Sequence, residues 1–176
     1  MKIVLIGDHR KSEILQYYGD IYRSNITFIA VADLAFKVMN IGGNTFNFQV
    51  WQLSEDPDFE LERRRYHYGA LGAIIVFDVT TESFQNIISW LNEIWSYNGM
   101  EKSIPIVIAG INIRKRSNAQ KPIFDEEVWK FTKEMNQKYQ ANIMYIPVDE
   151  YTGENVAQIW ETLGEWYIRY LQQLES

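Results

Sequence analysis

The sequence predicts an α/β fold: a doubly wound, mostly parallel six-stranded sheet with one antiparallel edge strand and five helices. Three observations carry this. AIIVFDV (73–79) and PIVIAGI (105–111) are nearly continuous apolar runs, as expected of parallel strands covered on both faces. Longer segments between the short β-like runs place apolar residues at helical spacing. The adjacent Gly42 and Gly43 separate two β-rich segments and suit the positive φ of a tight hairpin turn.

Taken in order, Lys2 to Ile6 reads as a buried strand, and the turn at Gly7 leads into a helix over Ser12 to Ile21 with Ile14, Leu15, Tyr18 and Ile21 on one stripe. IAVADLAFKVMN and TFNFQVWQL form an antiparallel pair joined at Ile41-Gly42-Gly43-Asn44. Between the two central strands, SFQNIISWLNEIWSY aligns Phe84, Ile87, Ile88, Leu91 and Ile94. Residues 125–139 do the same with Val128, Phe131, Met135 and Tyr139, so both are amphipathic covering helices. NIMYIPV is the last strand, and Asn155 is placed to cap a final helix carrying Val156, Ile159, Leu163, Tyr167 and Leu171.

Composition narrows the function. A chain of 176 residues, 47% of them apolar, is expected to form a single domain over 1–176. The 23 acidic residues outnumber 17 basic ones, which argues against a nucleic-acid surface. Cysteine is absent, excluding a disulfide framework, a thiolate metal site, a cysteine nucleophile and a thioether or thioester lipid anchor. Only Lys2 precedes the first short apolar run, so neither a signal peptide nor a membrane span is expected there, and the location expected is cytoplasmic. His9 and His67 lack a second ligand cluster at metal-binding spacing, and no Ser/His/Asp triad can be assembled.

The stretch IGDHRKSEIL (6–15) ends a strand at Gly7, where a phosphate-cradling loop would begin. Such a loop needs consecutive backbone N–H groups turned inward, glycines that permit the turn and a lysine reaching the outer phosphates. Gly7 is plainly there, and Lys11-Ser12 supplies a lysine and a hydroxyl.

Further along, QVWQL, then RRRYHYGALGAIIVFDVTTESFQNIISWLNEI, then TGENVAQIWETL resemble small GTPases of the Ras superfamily, most nearly the Rab group. From Trp51 to Val79 the resemblance runs without a gap against W-D-T-A-G-Q-E, Y-Y-R-G-A and I-I-V-Y-D-V-T. It implies a Ras-like phosphate-loop fold and five nucleotide motifs. At full spacing, G-x-x-x-x-G-K-[ST] falls on Ser12, Glu13 and Ile14, which puts a carboxylate in the lysine's place and a hydrocarbon at the magnesium hydroxyl. A loop two residues shorter rescues Lys11-Ser12 but has fewer amides.

The other motifs are altered too. Gln52 stands for the magnesium-associated aspartate, Leu53 and Ser54 follow, Glu55 replaces the γ-phosphate-sensing glycine and Asp56 the catalytic glutamine. N-K-x-D falls on Ile111, Asn112, Ile113 and Arg114, so a cation replaces the acceptor of two guanine N–H bonds; allowing an insertion aligns Asn112 and puts Lys115 there. S-A-K falls on Asp149, Glu150 and Tyr151, and the first switch threonine on Ile29, with Thr27 nearby. Each charge-assisted hydrogen bond lost is worth roughly 1.5–3 kcal/mol, and about 1.4 kcal/mol is tenfold in affinity.

The expectation is a pseudo-GTPase: a small-GTPase-like interaction module with no cofactor. The alternative is a divergent switch that binds GTP or GDP with Mg²⁺ and hydrolyses slowly, using Gly7, Lys11, Ser12 and Asn112 for the nucleotide, Ser12 for the metal and Asp56 to position water. A protein partner would meet Trp51 and Tyr66, which match two members of the Rab aromatic triad, with Leu34 in place of the third. Arg63, Arg64 and Arg65 form a basic run beside them, and Arg114-Lys115-Arg116 a second one able to grip an acidic partner. The phosphate pocket is also one that Arg10 or another side chain could fill. The ending LQQLES lacks the lipidated tail of Rab proteins, so no direct membrane anchor is expected, and an exposed tryptophan cluster would mark a partner groove or a homodimer contact.

Overall fold

Alternation along the first strand sets the layering. In the computed structural model, which describes residues 1–16, 20–23, 31–98 and 104–174, β1 (Lys2–Gly7) sends Val4 and Ile6 to one face of the sheet and Ile3 and Leu5 to the other. All four are fully buried. Successive side chains of a strand point to opposite faces, so an apolar run rather than an alternating pattern marks a strand covered twice.

The sheet continues with β2 (Asp20–Arg23), β3 (Ala32–Ile41), β4 (Asn44–Leu53), β5 (Gly72–Asp78), β6 (Pro105–Ile111) and β7 (Asn142–Pro147). Their spatial order is β2-β3-β4-β1-β5-β6-β7. β1 is parallel to β4 and β5, β6 is parallel to β5 and β7, and β3 is antiparallel to β4. Gly42 and Gly43, with φ of 58° and 80°, make the two-residue turn that pairs Ile41 with Asn44. The six expected strands are therefore joined by a seventh, β2, paired antiparallel to β3 at the edge.

β2 overturns the helix read over Ser12 to Ile21. Among the described residues, Lys11–Gln16 coil as a 3-10 turn, with Ile14 and Leu15 fully buried, and Ile21 lies in the strand. Apolar residues at adjacent positions satisfy one 3-10 turn as well as the start of an α-helix, which is why the pattern misled. Tyr18, Ile29 and Thr27 lie outside the described residues.

The α-helices are α1 (Glu60–His67), α2 (Ile87–Tyr97), α3 (Asp125–Tyr139) and α4 (Val156–Leu174). One core lies beneath α2 and α3 and contains Ile75, Phe77, Leu91, Ile94, Ile108 and Val128. The other lies beneath α4 and contains Ile74, Val76, Val107, Ile159, Trp160 and Leu163. Phe131, Met135 and Tyr139 pack against the first core as their spacing predicts, but Ile88 is half exposed. Asn155 precedes α4 with φ of 63° and donates from Nδ2 to the Pro147 carbonyl, an anchor to β7 where a cap was expected. No helix among the described residues is long and apolar enough to cross a membrane.

Candidate functional site

The chain leaves β1 at the point where the sheet order switches from β4 on one side to β5 on the other. The crevice of a doubly wound sheet opens there, at the carboxyl ends of the strands. Gly7 has φ of 114°, and a Cβ on it would stand 2.1 Å from the Val76 carbonyl oxygen. Only glycine lets the loop pass so close to β5. The Asp8 amide then donates to Val76 O at 2.8 Å.

The following amides are also engaged. Arg10 N–H donates to Asp8 Oδ1, Lys11 N–H to Asp8 O and Glu13 N–H to Arg10 O. A phosphate cradle needs such groups free and convergent; here they close a 3-10 coil on itself. Lys11 is 6% exposed, and its Nζ lies 2.5 Å from Glu55 Oε2. Burial pushes the Glu55 carboxyl up, but the bond from Lys11, a backbone hydrogen bond and the Lys11 and His9 charges together outweigh this and hold it below its ordinary value. Ser12 is half-buried in the coil, and Ile14 is fully buried.

Arg10 joins three loops. Its Nε and Nη2 grip Glu13 at 2.9 and 2.6 Å, its Nη1 donates to Asn112 Oδ1 at 2.6 Å, and Nη2 reaches Glu150 Oε1 and the Tyr151 hydroxyl, both at 3.1 Å. The Glu13 bond raises the Arg10 pKa above its ordinary value, partly against burial, with Tyr151 and Glu150 adding to the rise. Glu150, 4% exposed, uses its second oxygen to accept the Asn112 backbone N–H at 3.0 Å. Asn112 has φ of 62°, and its Nδ2 donates to Asp78 Oδ2 at 2.5 Å. Asp78 in turn orders Thr80 through the N–H and hydroxyl of that residue. Asn112 is thus spent within the protein, and Arg10 stands where the base and last loops meet.

The second basic run is paired within the protein, although Arg114 and Lys115 are exposed. Arg114 Nε bonds Asp149 Oδ2, Lys115 Nζ donates to the Tyr151 hydroxyl at 3.0 Å, and Arg116 Nη2 meets Asp125 Oδ1 at 2.5 Å. Asp149 also accepts the Tyr151 and Thr152 amides at one oxygen, closing the loop that holds Glu150. The two arginines thus pair with acids and the lysine with a tyrosine hydroxyl of the same chain.

Beside the loop after β1 lies a cavity of about 230 Å³, lined by Asp8, Glu55, Ser83 and Trp90 among others. Two carboxylates face it, which is unfavourable for a polyphosphate. Asp56, the water-positioning candidate, uses Oδ1 to accept the Asp58 N–H at 3.0 Å and caps the short 3-10 turn before α1. Gln52 is buried near the end of β4 and offers an amide in place of an anionic oxygen.

The partner-surface candidates do meet. Leu34 lies directly opposite Trp51 in the β3–β4 register. The Trp51 and Tyr66 rings lie 5.2 Å apart between centroids, with Lys2 Nζ 6.0 Å from the Trp51 centroid. Arg64 and Arg65 are exposed, lying over Tyr97 and Tyr66 respectively. Arg63 departs from the expected partner-facing run: it is 2% exposed and bonded twice to Glu93. Sequence reasoning missed Arg10, Glu13 and Glu150 as partners, although the opposite charges were in view at the altered motif positions. It also missed Glu93, which lies off the apolar stripe of α2 and is buried against α1 by Arg63 and His67, so periodicity gave no signal for it.

The Ras family model matches residues 2–168. The "GTP-binding protein YPT53" of Saccharomyces cerevisiae is 27% identical over 169 residues, 94% of this chain and 75% of that protein. The "Ras-related protein Rab-5B" of Plasmodium falciparum is 31% identical over 169 residues, 93% of this chain and 76% of that protein. The "Ras-related protein RABA6b" of Arabidopsis thaliana is 31% identical over 110 residues, 60% of this chain and 48% of that protein. With the sheet order, the loop at Gly7 and a match over nearly the whole length in agreement, the chain belongs to the Ras family and is a Rab-like homologue of the small GTPases.

Proposed function

We propose that this Rab-like chain no longer uses guanine nucleotide and acts as a protein-interaction module in the cytoplasm. Active members of the family bind GTP or GDP with Mg²⁺ and signal through effector proteins. The observation that carries the reading is Arg10: its guanidinium, Glu13, Asn112, Glu150 and Tyr151 form one bonded cluster across the loops where a nucleotide would be held. Lys11 is paired with Glu55, and the amides after Gly7 are engaged by protein acceptors. The residues do not fit magnesium either, since Ile14 and Gln52 replace its oxygen ligands.

What remains for function is surface. The half-buried Leu34 and Trp51, with Tyr66 buried behind the Trp51 ring, supply apolar and aromatic anchors of the kind that dominate interface energetics. Its partner is a protein, not a nucleic acid, and a second copy of the chain is one candidate.

The test is direct. Purified protein is denatured, and the supernatant is run on anion-exchange chromatography for bound nucleotide; the native protein is then titrated with a fluorescent guanine nucleotide and Mg²⁺. The expected result is no released nucleotide, no titration and a cooperative thermal melt unmoved by GTP–Mg²⁺. Stoichiometric GDP or GTP would overturn the reading.

A further inference from the structure

Arg63 of α1 is a buried arginine whose bonds all run to fixed groups. Nε and Nη2 donate to Glu93 Oε1 and Oε2, each at 2.9 Å, and Nη1 donates to the carbonyls of Ser54 at 3.0 Å and Asp56 at 2.6 Å. The guanidinium lies over the Trp90 ring, 5.2 Å from its centroid. One turn later in α1, His67 is 0% exposed and donates from Nε2 to Glu93 Oε1 at 2.8 Å. Burial pushes the Glu93 carboxyl up, but the bonds from Arg63 and His67 prevail and hold it below its ordinary value.

This arrangement spans the segment between the end of β4 and the end of α1. Arg63 grips the backbone at residues 54 and 56 from inside, while Glu93 on α2 holds Arg63 and His67. Tyr66 lies between these two on the same helix, against Trp51. In GTP-driven switches the corresponding segment is ordered by the γ-phosphate and its Mg²⁺ and released on hydrolysis. Here a bidentate ion pair, buried and so little screened, grips the same segment.

We propose that the buried Arg63–Glu93 pair is a permanent clamp that holds residues 54–67 in one conformation, so that the half-buried Trp51, backed by the buried Tyr66, is presented without control by any ligand in the loops. Arg63 and Glu93 are positioning residues: they act through Tyr66 and the backbone, not by touching a partner. The proposal builds on the interaction-module reading and adds its regulation, a surface that is constitutively in the binding-competent pose.

Amide hydrogen exchange on the full chain tests it, with and without GTP–Mg²⁺. The wild-type amides of residues 60–67 are expected to be protected, and GTP–Mg²⁺ is expected to leave them unchanged. In Glu93→Gln the amides of 54–67 should exchange roughly 100-fold faster while those of β5 and β6 keep their rates. Should Glu93→Gln fail to fold, Arg63→Lys is read instead: it keeps the charge but loses the fork, and is expected to show the same local loosening. Wild-type protection near zero over 60–67, slowing by GTP–Mg²⁺, or unchanged exchange in a folded variant would each overturn the clamp. The nucleotide titration separates the two proposals. Nucleotide bound with α1 exchange unmoved sinks the interaction-module reading and keeps the clamp, whereas no nucleotide with α1 unprotected does the reverse.

Discussion

Lys11 Nζ and Glu55 Oε2 lie 2.5 Å apart, joining the loop after β1 to the loop after β4. The lysine best placed to meet a phosphate is thereby neutralised by the residue that replaces the phosphate-sensing glycine. Glu55→Gly should cost about 1 kcal/mol in urea denaturation, because the carboxylate side of the pair is 43% exposed. Since Glu55 is held below its ordinary 4.5, the pair's stabilisation is present above that value and fades as pH falls through the native one, so the variant should have a shallower acid limb. Fluorescent guanine nucleotide should still not bind, because the amides of Arg10, Lys11 and Glu13 remain engaged. Micromolar binding by this single variant would contradict the closed-loop account.

Arg10 holds two carboxylates, Glu13 and Glu150, and the second of these is 1% exposed at its side chain. Among the described residues, Arg10→Ala leaves Glu150 with the Asn112 amide and should destabilise the protein by about 3 kcal/mol. Arg10→Lys should recover less than roughly half of that, since an ammonium cannot fork onto Glu13 while also reaching Asn112. A double-mutant cycle with Glu150→Gln measures the coupling, and a value near zero would show that the cluster is geometric and not energetic.

The sheet was largely legible because β1, β5 and β6 are fully or almost fully buried and carry unbroken apolar runs. β2 was not: its four residues carry no run long enough to show a period. At the site, Gly7 announced the loop, but Asn112 and Glu150, which Arg10 joins to its near neighbour Glu13, lie 102 and 140 residues away, and no local pattern specifies such pairings. Arg63 shows a different failure. Positions 63, 66 and 67 share one helix face and are the buried ones in α1, so periodicity was present, but three consecutive arginines drew the eye to charge instead of phase.

Gly7→Ala is expected to be the most damaging glycine-to-alanine substitution among the described residues. A Cβ there would stand 2.1 Å from Val76 O and 2.8 Å from Val76 N, both backbone atoms of a central strand, at a φ of 114° that L-residues rarely adopt. Neither contact can be relieved by rotating a side chain. A loss of more than about 4 kcal/mol follows, read as failure to give a cooperative melt. Gly43→Ala is the control, for it also has positive φ but nothing within 4 Å of the added methyl, and should cost only about 1–2 kcal/mol.

Lys37 gives the alkaline counterpart. It lies in the centre of β3, paired in register with Phe48, and is 0% exposed, with Nζ 5.4 Å from the centroid of Trp160 on α4. Burial pushes its pKa from 10.5 down to about 8. Between those two values the unfolded chain binds a proton that the native protein does not, so stability rises with pH across this window, by at most roughly 3 kcal/mol. Below about pH 8 both states are protonated, the slope from this group vanishes and the native state carries the full cost of the buried ammonium. Lys37→Met keeps the length of the side chain and removes the titration. Urea denaturation at a series of pH values, read as wild type minus variant, isolates Lys37 from the tyrosines and other lysines that titrate in the same range. The difference should climb from pH 8 to 10.5 in favour of the wild type and be flat below. A difference flat throughout would mean that the Lys37 amine keeps its ordinary protonation inside the fold, solvated by partners that move with it.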